Sequence, residues 1–301
     1  MKNVLDSQLK EFVSRLKRNT EVLPKSDTQP KVSIVMPLYN QVDYIERSIF
    51  SVLNQDYSNI ELIIIDGGST DGSIEIIKKH ESYLAYWMTE PDEGQSDALN
   101  KGFEHATGEI FGWLNADDLY MPDAIERAVD ALNKEKYKSV VFGDYLVIDK
   151  EDNIIKKEFA FDFSVGQFLY EGFHLNAQSM FWKKDVHFRF GKFDKSLHRT
   201  MDYDFILRIG LREGQKQFLR LPIPLGCFRR HEAQKTQGLD PTVIAEHHVI
   251  ASKNNCNLKY TLLGYGMKRL YRIRRVWWYF KRAGVAYVTI KLLRKISKPS
   301  P

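Results

Sequence analysis

The sequence predicts an α/β protein with a mostly parallel, doubly wound sheet and a basic, helical carboxyl-terminal extension. Short apolar runs alternate with helical periodicities between residues 32 and 142, which indicates βαβ crossovers. In Ile60–Ile65 apolar residues do not alternate with polar ones, as expected for a parallel strand covered on both faces. Glu246 is the last acidic residue, and the 55 residues after it contain 13 Lys and Arg.

The elements follow in chain order. A first strand is predicted at Val32–Met36, ended by Pro37, and Asn40 is placed to cap the helix after it. That helix has an apolar face made of Val42, Ile45, Ile49, Val52 and Leu53. Further strands are predicted at Ile60–Ile65, Tyr83–Met88, Glu109–Leu114 and Ser139–Phe142. Helices with one apolar side are predicted between them, around Leu99–Ala106 and at Pro122–Leu132.

The chain divides into three parts. Residues 1–30 are predicted to form a helix, with an apolar face over residues 1–19, and a linker. Residues 31–240 form the α/β domain, and residues 241–301 form the basic aromatic tail. Up to Glu246 the chain carries 31 Lys and Arg against 39 Asp and Glu, a net charge of −8. An acidic body and a basic tail therefore need separate explanations.

Length and composition exclude several classes of protein. The 301 residues, 43% of them hydrophobic, are enough for a buried core and unlike collagen-like, low-complexity or disordered chains. Cys227 and Cys256 are too few for a disulfide scaffold and lack zinc-site spacing, so we expect a reducing compartment. The start does not resemble a secretion signal, and no run of about 18 apolar residues occurs. We therefore expect a cytoplasmic protein without a membrane-spanning segment.

Polar residues follow three of the predicted strands. Ligands of doubly wound sheets bind outside the carboxyl ends of strands, which here means Pro37–Asn40, Asp66–Ser73 and Asn115–Asp118. The second segment, DGGSTDGS, lacks the glycine spacing of a dinucleotide site and the lysine of a P-loop. Taken alone, it is typical of a Gly-rich turn in which Asp71 or Ser73 caps the next helix.

Two adjacent carboxylates come directly after the fourth predicted strand. Asp117 and Asp118 repel one another unless they are solvated or neutralised, and a divalent cation relieves that repulsion. Oxygen ligands of this kind suit Mg²⁺ or Mn²⁺, which complete their shells with phosphate oxygens. The alternative, an Asp that caps a helix before Pro122, accounts for one acid and not for both.

The chain resembles the amino-terminal half of the family 2 glycosyltransferases in four segments: VSIVMPLYN, IELIIIDGGSTDGS, EPDEGQSDALNKGFEHATGE and IFGWLNADD. The resemblance covers about residues 31–235 and implies the GT-A nucleotide-sugar fold for residues 31–240. It implies that the nucleotide sugar is bound by Pro37, Tyr39, Asn40, Asp66, Asp97, Lys101, Asn115, Ala116 and Asp117. Asp66 would accept the imide hydrogen of a uracil. Gln95 and Ser96 depart from the family pattern, and the alternative for this segment is a surface helix capped by Ser96.

The resemblance further implies a Mn²⁺ or Mg²⁺ site after the fourth strand. Many relatives have Asp where Asn115 stands, so we expect Asp117 and Asp118 to bind the metal and diphosphate, and Asn115 to contact the ribose. His231 follows the last core strand, where relatives bring a His towards the metal. The alternative for His231 is a role without a metal.

The acceptor side is expected at His174–Ser179 and the aromatic residues after it, which resemble the segment that lines it in such enzymes. Gln178 and Trp182 are assigned to this side, where aromatic rings stack on sugars. A half-buried strand with Phe181 and Trp182 in the core is equally consistent with the pattern.

The catalytic base is expected in Thr200–Arg208, which is similar to a helix start in the family that carries an acid. The acceptor hydroxyl must lose a proton as it attacks the sugar, and a carboxylate supplies the general base. We assign this role to Asp202. Asp204 lies about 200° further round a helix, so both acids cannot face one cleft. Met201 stands where the family has Glu, and the alternative is that both acids stabilise the helix amino terminus.

The tail from Met267 to Lys298 mixes Lys and Arg with four consecutive aromatic residues, Trp277, Trp278, Tyr279 and Phe280. Nucleic-acid binding is one interpretation. Helices with cations on one side and Trp, Phe and Leu on the other lie at anionic membrane surfaces, and we expect this partner and no nucleic acid. The alternative is that the tail packs on the body or forms a dimer contact.

These expectations combine into one function. The resemblance implies a metal-dependent, inverting glycosyltransferase of polysaccharide biosynthesis, at the cytoplasmic face of the membrane. It would move a hexose or N-acetylhexosamine from a UDP-sugar to a hydroxyl of a glycan or lipid-linked glycan. Two alternatives stay open. A sugar nucleotidyltransferase would carry a Gly-rich basic signature near the first strand, and a noncatalytic nucleotide-sugar or glycan-binding module is consistent with Asn115 and Met201.

Overall fold

The computed structural model describes residues 29–172, 175–235 and 240–296, with Ser7 and Glu11 as isolated helical positions. The rest of the predicted helix at residues 1–19 and the linker up to residue 28 therefore lie outside the described residues. His174 of the predicted acceptor segment and residues 297–301 of the tail lie outside them as well.

Strands and helices alternate along the described chain. The strands are β1 (Val32–Leu38), β2 (Ile60–Asp66), β3 (Tyr86–Thr89), β4 (Ile110–Trp113), β5 (Leu119–Tyr120), β6 (Val140–Ile148), β7 (Ile154–Glu158), β8 (Met180–Lys183) and β9 (Phe218–Arg229). The α-helices are α1 (Ile45–Leu53), α2 (Ser73–His80), α3 (Gln95–His105), α4 (Ala124–Lys134), α5 (Val165–Glu171), α6 (Lys184–Phe190), α7 (Met201–Glu213), α8 (Pro241–Lys253) and α9 (Leu262–Ile296).

The described strands form one sheet with the order β3-β2-β1-β4-β8-β6-β9-β5, and β7 pairs with β6. The predicted parallel arrangement is found for the first four strands. In the second half β6 and β9 are parallel, whereas β8 is antiparallel to both β4 and β6. The sheet as a whole is therefore mixed. The turn at Ala177–Ser179 lies at the edge where β4 and β6 end, so β8 starts at that edge and runs in the direction opposite to both strands.

Six strands end at the same edge of this sheet. β1, β2, β3 and β4 are parallel, and β6 and β9 run in the same direction because β8 is antiparallel to both β4 and β6. We call this the site edge, and it is defined by the residues that end these strands: Leu38, Asp66, Thr89, Trp113, Ile148 and Arg229.

Two details of the first βα unit differ from the prediction. β1 continues through Pro37, because β4 pairs with β1 only as far as Val35 and no partner on that side needs an amide hydrogen beyond it. Asn40 does not cap α1, which begins at Ile45 without a side-chain cap. Asn40 instead adopts a φ of 51° and accepts a hydrogen bond from the backbone N of Thr70.

The sheet separates two apolar clusters, and β2 contributes to both. Ile63 and Ile65 pack on the face covered by α3, α6 and α7, whereas Leu62 and Ile64 pack on the face covered by α1, α2 and α4. This alternation requires apolar residues on both sides of one strand, which explains the apolar run of β2. α9 lies against α5 and contains a break at Gly284. No described helix combines the length and the apolarity that crossing a bilayer requires.

Candidate functional site

The loops after β1 and β2 are joined at the site edge. Asp66 is fully buried, and its Oδ2 accepts hydrogen bonds from the backbone N of Ser69 at 3.0 Å and from Thr89 Oγ1 at 2.5 Å. The Ser69 hydroxyl donates to the other oxygen of Asp66 and accepts from the backbone N of Asn40 at 2.8 Å. Asn40 and Asp66, predicted to bind the nucleotide, are thus connected through one serine.

Three other predicted nucleotide contacts in these loops differ in exposure. The ring of Tyr39 is 62% exposed and is available for stacking. Pro37 is buried inside β1, and Ala116 is buried with its carbonyl accepting a hydrogen bond from Ser48 Oγ at 2.8 Å. The side chains of Pro37 and Ala116 are therefore occupied in packing, and Tyr39 presents the exposed surface.

Asn115 organises the loop after β4. Its Oδ1 accepts from Trp113 Nε1 and from Gln95 Nε2, each at 2.7 Å. Its Nδ2 donates to Asp118 Oδ2 at 3.0 Å. An aspartate at this position would have no hydrogen to donate to Asp118, so the amide at 115 is matched to the acid three residues later.

Asp118 does not point into a binding site, and its assignment as a metal ligand is wrong. The residue is 1% exposed. Oδ1 accepts from the backbone N of Arg229 at 2.8 Å, and Oδ2 accepts from Asn115. Burial, followed by the negative charge of Asp117, raises the pKa of Asp118 well above its usual range. Asp118 therefore links the loop after β4 to the end of β9.

Asp117 and His231, both predicted to bind the metal, lie next to each other. His231 Nε2 lies 2.9 Å from Asp117 Oδ2, and the side chain of Asp117 is partly exposed. The imidazole also lies against Tyr44, with ring centroids 4.6 Å apart. On the other side of the loop, Arg229 Nε donates to the backbone carbonyl of Asp117 at 2.7 Å. The two residues at the end of β9 thus hold Asp117 by its side chain and by its backbone.

Arg229 is a central residue that the sequence analysis did not single out. It is fully buried, and its Nη1 lies 2.5 Å from Asp152 Oδ1 and donates to the backbone carbonyl of Asp149 at 3.0 Å. The guanidinium lies over the ring of Tyr44, 4.9 Å from the centroid. Asp152 also pairs with Arg47 at 2.7 Å. A buried Arg is compatible with folding because its charge is compensated in this way.

The residues that could hold a divalent cation are Asp117 and His231. Among the described residues, no three or more His, Cys, Asp or Glu side chains lie close enough together to form a metal site. One carboxylate and one imidazole still fit Mn²⁺ or Mg²⁺, because such ions are commonly bound by one or two protein ligands together with substrate phosphates and water.

Asp97 and Lys101 lie together on α3. Lys101 Nζ is 3.1 Å from Asp97 Oδ2 and 2.7 Å from Glu90 Oε1, and Lys195 Nζ is 3.2 Å from Asp97 Oδ1. The alternative of a surface helix capped by Ser96 is wrong. Ser96 is buried and donates to the backbone carbonyl of residue 197, and a glycine occupies the cap position of α3.

Asp202 lies in the first turn of α7 and is partly exposed. Burial raises the pKa of Asp202 to about 6, while hydrogen bonds and the positive charge of Lys235 oppose the rise. Lys235 Nζ is also 3.4 Å from Gln95 Oε1, and Gln95 donates to Asn115. Lys235 thus approaches the loop after β4 through Gln95, and its positive charge also acts on Asp202.

The choice between Asp202 and Asp204 follows from their surroundings. Asp204 is buried, and its Oδ2 accepts from Arg208 Nε at 2.8 Å. Arg208 in turn donates to backbone carbonyls that follow α6. Asp204 therefore fixes α7 to the chain around α6, and Asp202 is the acid of this pair that is partly exposed and influenced by the charge of Lys235.

Glu246 on α8 was not anticipated from the sequence. It is buried and accepts from the backbone N of His198 at 2.7 Å, the backbone N of Arg199 at 3.0 Å and Thr200 Oγ1 at 2.7 Å. It therefore holds the segment that leads into Asp202. One acid in an otherwise ordinary helix carries no sequence signal for such a role.

The predicted acceptor-side residues are not exposed. Trp182 is fully buried in the cluster under α3 and α7, because β8 lies centrally between β4 and β6. Gln178 lies beside the site edge but is also fully buried, and Gly226 of β9 packs directly against its backbone. Neither side chain can stack on or bond a sugar in this arrangement, and the core alternative holds for both Phe181 and Trp182.

A cavity of about 910 Å³ borders His231 on the side of Tyr44. It is lined by the segment that leads into α1, the turn between β6 and β7, and the segment after β9. Two predicted site residues, Asn40 and His231, belong to this lining. The other walls include Asp43, Asp71 and Glu232. The volume next to the Asp117–His231 pair is therefore large enough for a drug-sized ligand.

Sequence comparisons relate the chain to glycosyltransferases. The sequence model of Glycosyl transferase family 2 matches residues 33–198. An uncharacterised glycosyltransferase of Rickettsia typhi is 37% identical over 188 residues, which are 58% of this chain and 57% of that protein. An uncharacterised glycosyltransferase of Mycobacterium tuberculosis is 32% identical over 184 residues, 60% of this chain and 70% of that protein. The chain thus spans little more than half the length of the Rickettsia relative.

Solved structures share the fold. S. aureus TarS 1-349 in complex with UDP-GlcNAc superposes with a TM-score of 0.61 at 16% identity, over 83% of this chain and 73% of that one. Mannosyltransferase PcManGT from Pyrobaculum calidifontis, in complex with GDP-Man and Mn²⁺, gives a TM-score of 0.53 at 16% identity, over 98% and 87%. At this level of identity the likeness shows the fold, and the expected GT-A fold is confirmed.

Proposed function

The chain belongs to glycosyl transferase family 2, and we propose that it moves a hexose or N-acetylhexosamine from a nucleotide diphosphate sugar to a hydroxyl of a glycan or lipid-linked glycan. The observation that carries the proposal is the contact between Asp117 and His231 at the site edge. It supports a diphosphate site beside the loops of Asn40 and Asp66, with an acid from α7 facing it.

The donor that we propose is a UDP-sugar. Tyr39 offers an exposed ring for stacking on the base. Asp66 is buried and bonded to Ser69 and Thr89, so its carboxylate would have to exchange one of these partners to accept the imide hydrogen of uracil. The hydrogen bonds of Ser69 to Asn40 and Asp66 keep the loop of Tyr39 and Asp66 together at the site edge. Asp97 and Lys101 would lie near the ribose and base. The two solved structures of similar fold are complexes with UDP-GlcNAc and with GDP-Man, and they support a sugar nucleotide as the donor class.

Asp117 and His231 would hold Mn²⁺ or Mg²⁺, which neutralises charge on the departing diphosphate. Arg229 keeps Asp117 in position through its backbone carbonyl, and Asn115 keeps the neighbouring acid Asp118 engaged elsewhere. Of these two adjacent acids, Asp117 alone is then available to the diphosphate, which limits the repulsion of the donor by this loop.

Asp202 would act as the general base that removes the proton of the acceptor hydroxyl. A pKa of about 6 leaves it ionised at neutral pH and still basic enough to take a proton. One base and one displacement at the anomeric carbon give inversion of configuration. The enzyme would work in the cytoplasm, with a glycan or lipid-linked glycan as its acceptor.

The test measures donor binding and donor turnover separately. Thermal shift with a panel of UDP- and GDP-sugars, with and without Mn²⁺, identifies the donor, because a bound ligand raises the apparent melting temperature. Release of UDP or GDP, with and without added glycan acceptors, then measures turnover. We expect Asp202→Asn to keep donor binding and to lose turnover, and Asp204→Glu to serve as a matched acid control.

The outcomes distinguish the proposal from its alternatives. Donor binding without any release of nucleotide, by the unmodified protein and with acceptors present, would identify a noncatalytic module. Release of pyrophosphate from a nucleoside triphosphate and a sugar phosphate would identify a nucleotidyltransferase. Either result overturns the proposal.

A further inference from the structure

The helix α9 is attached to the body of the protein by one of its faces. Arg275 Nη2 lies 2.7 Å from Glu171 Oε2, a carboxylate that is almost fully buried. Phe161 contacts the rings of Trp278 and Tyr279, with centroids 4.6 and 4.8 Å apart. The alternative that the tail packs on the body therefore holds for this inner face, because its aromatic and cationic groups have partners on the body.

The opposite face of α9 carries large apolar side chains that are exposed. Ile273 is 65% exposed and Trp277 is 57% exposed. The exposed apolar residues of this outer face are Leu262, Tyr265, Leu270, Ile273, Val276, Trp277 and Phe280. From Leu270 to Phe280 the spacings are three and four residues, which place these side chains along one side of the helix, so they form a stripe and not scattered exposed side chains.

Cations border this apolar stripe. Arg269, Arg274 and Lys281 are exposed. In the described part of the chain no acidic side chain pairs with them, whereas Arg272, Arg275 and Arg282 on the inner side approach Glu171 or Asp144. The sequence after Glu246 contains no acid that could neutralise them locally. The outer face therefore combines apolar surface with uncompensated positive charge.

We propose that this outer face of α9 lies in the headgroup region of an anionic bilayer, with the helix parallel to the membrane and the inner face fixed to the catalytic domain. The inference rests on the proposed function in one respect, because membrane binding would bring the enzyme to a lipid-linked acceptor at the same surface. Apolar residues enter the boundary of the acyl chains while flanking cations contact acidic headgroups.

Two other occupants fit the observations less well. A second copy of this face would bring three uncompensated cations against three others without any acid between them, and like charges in contact are unfavourable. A nucleic acid would match the cations and could stack on Trp277. It would leave aliphatic side chains such as Leu262 and Ile273 exposed, with no groups to pack against.

The experiment compares binding of the full chain to sedimented vesicles of phosphatidylcholine alone and of phosphatidylcholine mixed with phosphatidylglycerol. We expect binding to the mixed vesicles at low salt and loss of binding at high salt. Ile273→Glu combined with Trp277→Glu should weaken vesicle binding at least about tenfold. Arg274→Glu combined with Lys281→Glu should do the same for anionic vesicles.

The matched control is Tyr137→Glu combined with Phe188→Glu. These aromatic residues are 91% and 60% exposed and lie outside α9, so the control makes the same change in charge on another surface and should bind vesicles like the unmodified protein. All variants should keep the melting temperature and the release of UDP from soluble donor.

Three results overturn the inference: unmodified protein that stays in the supernatant with anionic vesicles, equal loss of binding in the control, or outer-face variants that abolish a dimer without affecting vesicle binding. The donor assay keeps this proposal separate from the proposed function. Vesicle binding without donor turnover would contradict the proposed function and support the docking surface. Donor turnover without vesicle binding would contradict the docking surface alone.

Discussion

His231 Nε2 lies 2.9 Å from Asp117 Oδ2, although 114 positions separate the two residues in the sequence. The contact exists because β4 and β9 both end at the site edge, the first just before Asp117 and the second just before His231. One carboxylate and one imidazole are ligands that would suit a divalent cation completed by substrate phosphate oxygens. In our proposal this pair, and not the two adjacent acids, would hold the cation that balances charge on the leaving group.

Asp117→Asn is expected to lower kcat/KM for nucleotide release at least about 100-fold, because it removes the one anionic ligand of the pair. His231→Gln, which keeps a polar side chain, should raise the Mn²⁺ concentration needed for half-maximal activity. The measurement is UDP release as a function of Mn²⁺ after treatment with a chelator. Full activity of Asp117→Asn at ordinary Mn²⁺ would contradict the assignment.

Asp118→Asn is expected to affect stability rather than the dependence on Mn²⁺. Asp118 accepts one hydrogen bond from Arg229 N and one from Asn115 Nδ2, and an amide in its place can satisfy one of these donors but not both. Leaving a buried donor without a partner costs about 1–3 kcal/mol. Urea unfolding should show this loss, and an unchanged free energy of unfolding with a raised Mn²⁺ requirement would restore Asp118 as a ligand.

The pH dependence of turnover should report Asp202. Burial raises its pKa to about 6, and the base must be ionised to accept a proton, so kcat/KM should fall about tenfold per pH unit below pH 6. Lys235→Met removes a positive charge that lowers this pKa and should move the acid limb to higher pH. Lys235→Arg keeps the charge and is the control. A flat profile between pH 5 and 8 would exclude Asp202 as the base.

The same raised pKa predicts that ionised Asp202 lowers the stability of the folded protein, although its ionisation is needed for activity. A carboxyl group whose pKa is higher in the folded state than in the unfolded state binds more protons when folded, so its contribution to stability decreases as pH rises from about 4 to 6. Above pH 6 the ionised group therefore opposes folding. Asp202→Asn should be inactive and yet more stable at pH 8, by up to about 3 kcal/mol. Urea unfolding at pH 4 and pH 8 measures the difference.

The parts of this fold that the sequence predicted are those that depend on local patterns. The apolar run of β2, followed by polar residues at Asp66, indicated a covered parallel strand and its carboxyl end correctly. The local pattern could not show which of Asp117 and Asp118 approaches His231, because adjacent residues differ only in the direction of their side chains. One approaches His231, and the other is enclosed by Asn115 and the end of β9.

Residues that act through long-range contacts gave no signal of their own. Trp182 was equally consistent with an acceptor wall and with the core, and its burial depends on where β8 is inserted in the sheet. Glu246 supports the segment before Asp202 from a helix that follows it by about forty residues. Pairings of this kind are set by topology, which local periodicity does not specify.

Arg229→Lys tests whether the buried guanidinium positions Asp117. Lysine keeps the charge that pairs with Asp152 but cannot reproduce a planar group that donates at once to the carbonyl of Asp117 and to that of Asp149. We expect kcat to fall about tenfold and the Mn²⁺ requirement to rise, while the KM for the donor changes less, because the loop would shift relative to His231.

Asp152→Asn serves as the comparison for Arg229→Lys. It weakens the ion pairs of Asp152 with Arg47 and Arg229 but leaves the hydrogen bond from Arg229 Nε to the Asp117 carbonyl. If Arg229 acts only by stabilising the fold, the two variants should lower activity in proportion to their loss of melting temperature. If it positions Asp117, Arg229→Lys should raise the Mn²⁺ requirement at a melting temperature where Asp152→Asn does not. Equal Mn²⁺ titrations for the two variants would assign Arg229 to stability alone.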